Sequence, residues 1–123
     1  MPDKELIAEI LSQIIFAIKR IILMCENINE PDDFAISNDG MMRLESTCML
    51  LCTIGESIKN LDKHTEKQLL KHYKSVEWKS VMGMRDIIVH HYFDIDAQIV
   101  FDAVKNKLPE LQSVIEQMIK DVK

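Results

Sequence analysis

Apolar residues recur at three- and four-residue intervals along most of this 123-residue chain, and few residues interrupt the pattern. This spacing places apolar side chains on one face of an α-helix. Only three Gly and three Pro occur, whereas a β-rich fold of this length needs many more turn residues. The sequence therefore predicts an all-α fold, a four- to five-helix up-and-down bundle, in a single domain over residues 1–123.

The first helix is predicted over residues 3–29, and its apolar stripe is unusually wide. Either this helix occupies the centre of the bundle, or part of it packs against a partner subunit. A second helix is predicted from a cap among Ser37, Asn38 and Asp39 to about residue 61.

Gly55 lies inside the second helix, where it costs about 1 kcal/mol relative to Ala. Close approach of another helix would explain its presence. Residues 62–74 are polar and are predicted to form a connector with one short helical piece. A third helix then begins near residue 77 and is ended or bent by residues 90–94. Pro109 marks a kink or a fresh start in the last helical region.

The formal net charge of −5 argues against a broad electrostatic grip on nucleic acid, so an RNA substrate would need a few focused cations. Cys25, Cys48 and Cys52 are an odd number of thiols without a secretory signal, which indicates a reducing, cytoplasmic setting. Cys48 and Cys52 share a helix face, and buried thiols are a better interpretation than a metal pair. Charged residues interrupt the N-terminal apolar run, so no membrane span is predicted.

Arg85 and His90 are the strongest candidates for chemistry. Arginine presents a permanently charged fork to phosphate oxygens, and histidine exchanges protons near neutrality. Together they suffice for RNA cleavage without a metal or other cofactor, because the ribose 2′-hydroxyl supplies the nucleophile. Histidine would take that proton or protonate the departing 5′-oxygen, and arginine would stabilise the charge on the pentacoordinate phosphate.

The spacing of these two residues poses a geometric problem. Positions five apart on an ideal helix lie about 140° apart around its axis. Arg85 and Tyr92, seven apart, lie on nearly one face. Either the helix is distorted near His90, or the site is assembled across two subunits of a symmetric dimer. On spacing alone, a salt-bridged Arg and a surface His are the more economical interpretation.

The wider sequence resembles the HEPN superfamily and, within it, the HepT branch of ribonuclease toxins. That branch carries Arg-x4-His-x-Tyr, preceded by Gly-Met and a Trp, and Trp78, Gly83 and Met84 match. The segments 54–59 and 108–111 also resemble the family's Ile-Gly-Glu-Ala and Leu-Pro-Glu-Leu segments. The family usually has Pro before the Trp, where Glu77 stands here.

The resemblance implies a HEPN-like bundle that forms a homodimer, with a metal-independent endoribonuclease site in the dimer cleft. It implies that Arg85 and His90 are the catalytic pair of a toxin in a type VII toxin–antitoxin system. It also implies that a minimal nucleotidyltransferase antitoxin silences this toxin by transferring AMP to Tyr92. A bulky, negatively charged group there would obstruct substrate phosphate.

Three further residues are candidates for supporting roles. Asp86 can orient His90 four residues on, and a carboxylate beside a His raises its pKa. Glu56 can hold Arg85, or it can be an exposed partner of Lys59. His91 can assist catalysis, although a solvent-facing position is favoured.

Two other features have ordinary structural interpretations. The Asp94-Ile95-Asp96 segment has the carboxylate spacing of a nucleotidyltransferase metal site, but helix capping by one Asp is favoured. Trp78 and Phe93 are favoured as core or interface aromatics over base-stacking platforms. Beside the toxin hypothesis stand two alternatives. The first is a catalytically silent helical module that binds a nucleotide or the nucleotidyltransferase, and the second is a helical assembly subunit without a site.

Overall fold

The computed structural model describes residues 3–91 and 93–122. Five α-helices account for most of these residues: α1 (Lys4–Met24), α2 (Asn38–His64), α3 (Trp78–His90), α4 (Ala97–Asp102) and α5 (Leu108–Val122). A π-helical turn, Ala103–Lys107, joins α4 to α5. Short 3-10 helices occur at Pro31–Phe34 and Leu70–His72. The predicted all-α class is confirmed, and no strand occurs in the described residues.

Helix α1 is the centre of the bundle. It packs against α2 on one side and α5 on the other, while α3 packs against α2. Its buried stripe follows the three-four spacing of the sequence: Ile7, Ile10, Leu11, Ile14, Ala17, Ile18 and Ile21. Of the two explanations for its apolar character, the central position within the chain is therefore realised.

The predicted end of α1 is wrong by five residues. The helix ends at Met24, yet Cys25 and Ile28 remain buried in the turns that follow. Side chains from other segments satisfy the last carbonyls, since Arg43 donates to the Met24 oxygen and Lys105 donates to the Cys25 oxygen at 2.7 Å. The apolar spacing extends beyond Met24 because the residues of the following turns are also buried, although their backbone is no longer helical.

Side-chain caps set the starts of three helices. Asp3 accepts from the backbone of Glu5 at 2.9 Å, Ser37 accepts from Gly40 at 2.9 Å, and Asp96 accepts from Gln98 at 2.8 Å. Ser37 is thus the cap among the three candidates for α2, and Asp96 confirms the capping interpretation of the Asp94–Asp96 segment.

Pro109 does not break the last helix. It stands at the second position of α5, directly after the π-helical turn. The Leu108 N–H donates to the Ala103 oxygen five residues back. This wider turn accommodates a residue that lacks an N–H and whose ring crowds the preceding turn. The fresh start predicted at Pro109 corresponds to the start of α5 at Leu108, which follows a local change of helix type.

None of the helices in residues 3–91 and 93–122 combines the length and the apolar character that crossing a membrane requires.

Candidate functional site

Close packing of α2 and α3 positions the candidate site. A Cβ atom at Gly55 would lie 3.0 Å from the Val81 oxygen and 3.7 Å from the Arg85 nitrogen. Glycine at this position therefore lets the two backbones approach, as its cost in mid-helix suggested. The residue after it, Glu56, is consequently held beside the α3 backbone at Arg85.

Arg85 lies between two carboxylates at the surface. Its Nε is 3.4 Å from Glu56 Oε1, and its Nη1 donates to Asp86 Oδ1 at 3.1 Å. The Arg85 side chain is 45% exposed, so solvent and a ligand can still reach it. Lys59 Nζ lies 3.8 Å from the same Glu56 oxygen. Both alternatives for Glu56 are thus realised at once.

Asp86 contacts Arg85 and not His90, which was the partner that the sequence suggested. It forms its ion pair with the neighbouring guanidinium. In the described part of the chain, the His90 side chain has no hydrogen bond or ion pair with Asp86 or any other residue. The interpretation that Asp86 orients His90 is therefore not met within one chain.

His90 and Arg85 belong to one regular helix. Helix α3 is α-helical through His90, and the chain leaves it at His91, whose N–H donates to the Ile88 oxygen. The predicted helix end is confirmed, but the suggested distortion between Arg85 and His90 is absent. Positions five apart on a regular helix lie about 140° apart around its axis, so the two residues occupy different faces of α3.

The residues after His90 are exposed where they are described. His91 Nδ1 lies 3.6 Å from Asp94 Oδ1, and its side chain is 59% exposed, in line with the favoured solvent position. Tyr92, the predicted AMP acceptor, lies outside the described residues. Phe93 is 99% exposed, so it is not a core aromatic of this chain. Trp78, by contrast, packs partly against the core and donates from Nε1 to the Tyr73 oxygen at 2.8 Å.

The prediction of buried thiols is confirmed for Cys48 and met only in part for Cys52. Cys25 and Cys48 are buried, Cys52 is half-buried, and all three are free. Burial raises the pKa of Cys48 to about 11. Burial also raises the pKa of Cys52, against an opposing effect of the Arg85 charge. Sequence reasoning missed this closeness of Cys52 to the site, although Cys52 and Glu56 are four residues apart on α2.

A largely apolar cavity lies on a different side of α3 from the polar cluster around Arg85. Its volume is about 250 Å³, and α2, the start of α3 and α5 enclose it with residues such as Leu51, Ile54, Val81 and Leu111. Among the candidate site residues that the structure describes, which are all but Tyr92, none lines it. The polar cluster around Arg85 is therefore an open surface site and not part of this cavity.

Comparison with known proteins supports one family. A family model described as HepT-like, Ribonuclease HepT-like, matches residues 11–118. A candidate RNase of Methanocaldococcus jannaschii is 41% identical over 69 residues, which cover 56% of this chain and 54% of that protein. A candidate RNase of Caldanaerobacter subterraneus subsp. tengcongensis is 36% identical over 70 residues, or 57% of this chain and 59% of that protein.

A third relative is described as a candidate ribonuclease HepT of Thermococcus cleftensis. It is 28% identical over 67 residues, which cover 54% of this chain and 57% of that protein. The matches thus span little more than half the length of these curated relatives. No solved structure matches the chain.

Proposed function

Because this chain belongs to the HepT-like ribonuclease family, we propose that it is a metal-independent endoribonuclease that uses Arg85 and His90. The 2′-oxygen attacks phosphorus, the bond to the 5′-oxygen breaks, and a 2′,3′-cyclic phosphate forms. His90 takes the proton of the 2′-hydroxyl or protonates the departing 5′-oxygen, water exchanges the other proton, and Arg85 stabilises the charge on the pentacoordinate phosphate. The observation that carries the proposal is the exposed Arg85 guanidinium, held between Glu56 and Asp86.

The active site is composite in this proposal. Arg85 and His90 diverge on a regular helix, so one copy presents only one of them to a given phosphate. In a homodimer with facing α3 helices, Arg85 of one copy and His90 of the other meet in the cleft. This arrangement reconciles the required chemistry with an undistorted helix.

Mixing two inactive variants tests the composite site. Arg85→Ala and His90→Ala are each expected to abolish cleavage, measured as release of cyclic phosphate from labelled RNA. After co-refolding, mixed dimers contain one intact site of two, so roughly a quarter of wild-type activity should return. If both residues acted within one copy, the mixture would stay inactive. An active Arg85→Ala homodimer would remove Arg85 from the mechanism.

We further propose that a minimal nucleotidyltransferase controls this enzyme as the antitoxin of a type VII pair. The acceptor is Tyr92, two residues after His90, where an added AMP would bring a negative phosphate to the substrate phosphate site. Incubation with the nucleotidyltransferase and ATP should add AMP mass to the wild-type chain and abolish its cleavage. The Tyr73→Phe variant should gain the same mass, whereas Tyr92→Phe should gain none. A mass gain that survives Tyr92→Phe would place the modification elsewhere.

One observation favours a catalytically silent binding module as the second candidate. Two carboxylates already neutralise Arg85, and the chain as a whole carries a net charge of −5. Expression in a bacterial host separates the candidates. The enzyme should arrest growth, and Arg85→Ala or His90→Ala should restore it. Equal growth with all three chains, together with RNA left intact by the purified wild type, would favour the silent module.

A further inference from the structure

The charges of this acidic chain are segregated. Residues 59–85 contain seven Lys and Arg against three Asp and Glu, whereas the remaining residues contain eight against seventeen. Six of the seven cations are lysines that extend from α2 through the connector into α3: Lys59, Lys63, Lys67, Lys71, Lys74 and Lys79. We call these six residues the lysine track.

Two adjoining surface grooves contain the whole lysine track. Lys59 and Lys63 line the first groove, and Lys71, Lys74 and Lys79 line the second. Lys67, Asp62 and Met82 line both, so the grooves are continuous. Asp62 and Glu66 are the acidic lining residues, so six cations face two carboxylates.

Most of the track is free to bind an external anion. Within residues 3–91 and 93–122, Lys59 alone among the six has a carboxylate within ion-pair distance. The other five side chains are exposed. Unpaired lysines that line a common groove are suited to a chain of phosphates, because each ammonium is a point charge with three donors.

The track leads to Arg85. Lys59 Nζ and Arg85 Nε contact the same Glu56 oxygen, at 3.8 and 3.4 Å. The first cation of the track and the proposed phosphate-binding arginine therefore flank a single atom. A polyanion that follows the grooves is thereby directed to the candidate site.

The backbone at the junction of the two grooves is strained. Glu66 and Lys67 have φ angles of 53° and 62°, the left-handed region that glycine adopts more easily. The Lys67 N–H donates to the Asp62 oxygen at 2.8 Å, which closes the end of α2. Lysine at this position keeps a cation where both grooves meet.

We propose that the lysine track binds the phosphate backbone of single-stranded RNA and leads the scissile phosphate to Arg85. The inference rests on the proposed ribonuclease function, which it extends from one phosphate to a binding path. A single strand fits because its phosphates can follow a narrow basic path, whereas the second strand of a duplex would approach the acidic remainder of the surface.

A single-stranded DNA of about 16 nucleotides is the probe. It has the phosphates but no 2′-hydroxyl, so wild-type protein can bind it without cleaving it by the proposed route. Fluorescence anisotropy over a series of salt concentrations gives the dissociation constant and its salt dependence. The test variant is Lys67→Gln/Lys71→Gln/Lys74→Gln, and the matched control is Lys4→Gln/Lys19→Gln/Lys120→Gln. The control removes the same charge from exposed lysines of α1 and α5 that form no ion pair with any described residue.

The track variant should bind on the order of tenfold more weakly at low salt, and its log–log salt slope should fall by about 2. The control should bind within about twofold of wild type, with its slope unchanged. Equal weakening in both variants would mean that only total charge matters, and would overturn the track. If the wild-type protein does not bind the probe, the proposed role of the lysine track is overturned as well. An acidic protein would then be the next ligand to test.

A second pair of variants guards against misfolding. Glu66→Gly and Lys67→Gly each relieve a left-handed backbone, so both should raise the melting temperature. Lys67→Gly should nevertheless weaken probe binding, whereas Glu66→Gly should tighten it by removing a carboxylate from the groove. Weaker binding in both variants would contradict the track.

RNA cleavage separates this inference from the proposed function. If wild type cleaves RNA and the track variant binds like wild type, the track fails and the ribonuclease stands. If the track variant loses binding but wild type cleaves no RNA, the ribonuclease fails and the track stands as a nucleic-acid surface.

Discussion

The contacts of Arg85 orient a side chain more than they stabilise the fold. Both carboxylates are about half exposed, and such ion pairs contribute roughly 0.2–1 kcal/mol each. Glu56 comes from another helix, so it restrains Arg85 relative to α2, whereas Asp86 is its neighbour in sequence. Glu56 can therefore position the Arg85 side chain relative to α2, whereas Asp86 cannot.

Replacing Glu56 with Gln should separate activity from stability. The variant loses the inter-helix charge at Arg85, so kcat should fall roughly tenfold as the guanidinium loses its alignment. The free energy of unfolding should change by less than about 1 kcal/mol. RNA cleavage and urea denaturation measure the two effects. Glu45→Gln, an exposed change on the same helix, should alter neither, and unchanged kcat in Glu56→Gln would remove its positioning role.

Tyr73 links the connector to α5. Its hydroxyl donates to Asp121 Oδ2 at 2.6 Å. Burial, followed by this hydrogen bond, raises the pKa of Tyr73 from 10.0 to about 12. The hydrogen bond from Tyr73, followed by one from Gln117, lowers the pKa of Asp121 below its usual 3.8.

These pKa shifts predict a pH dependence of stability. The folded state holds the Tyr73 proton more tightly, so its contribution is complete below pH 10 and is lost as pH rises through about 12. The contribution of Asp121 is present above pH 3.8 and is lost as pH falls through its lowered pKa. The stability difference between wild type and Tyr73→Phe should therefore shrink at both extremes. A constant difference across chemical denaturation from pH 3 to pH 12 would contradict the assignment.

At the scale of the elements, one glycine determines how α2 meets α3. Gly55 is buried at their contact. A Cβ at Gly83, at mid-helix in α3, would have no described atom within 4 Å apart from its chain neighbours and its own helix backbone. The same residue type thus has two different environments on facing helices. Gly55 is required because the backbones of α2 and α3 approach closely there. Packing within the chain does not require glycine at position 83.

Alanine substitutions at the two glycines should act in opposite directions. Gly55→Ala places a Cβ at 3.0 Å from the Val81 oxygen and should destabilise the fold by about 1–3 kcal/mol. Gly83→Ala meets no such obstacle and should stabilise the chain by up to about 1 kcal/mol through helix propensity. Thermal and urea denaturation measure both. Equal effects of the two substitutions would contradict the packing at Gly55.

At the scale of the whole molecule, α3 is the least covered long helix. It packs mainly against α2, and Ile87 and Val89 are each 48% exposed beside the candidate site. A dimer cleft that contains Arg85 and His90 must include this helix. Burial of its exposed apolar side chains would supply part of the association free energy.

The dimer proposal predicts twice the 14.3 kDa chain mass in sedimentation equilibrium. Ile87→Ser/Val89→Ser should weaken association by at least tenfold, because each substitution removes apolar area from the interface. Phe16→Ser, a change at an apolar side chain of α1 that is even more exposed, at 67%, should leave the mass unchanged. A monomeric wild type, or dissociation by Phe16→Ser alone, would place the interface elsewhere or remove it.

Local patterns in the sequence predict the helical class, two caps among the candidates it named (Ser37 and Asp96), the connector with its short helix, and the close approach at Gly55. These features depend on local periodicity and on the steric properties of single residues, which sequence expresses directly. It also singled out Arg85, His90 and Glu56, through residue chemistry and family resemblance. It placed the end of α1 five residues too late, because apolar residues continue at buried positions beyond the helix. It contained no signal for the π-helical turn that precedes Pro109.

Which side chains contact one another depends on the tertiary structure. Asp86 forms an ion pair with Arg85 and not with His90, and Glu56 of α2 forms one with Arg85 of α3. The lysines of the connector line two continuous grooves. Each result depends on the placement of residues distant in sequence or on a choice among several polar partners of similar energy. Local sequence pattern does not identify the ion-pair partner of a surface residue, because the alternative pairs differ little in free energy. The free energy of helix packing is larger, and it positions the side chains.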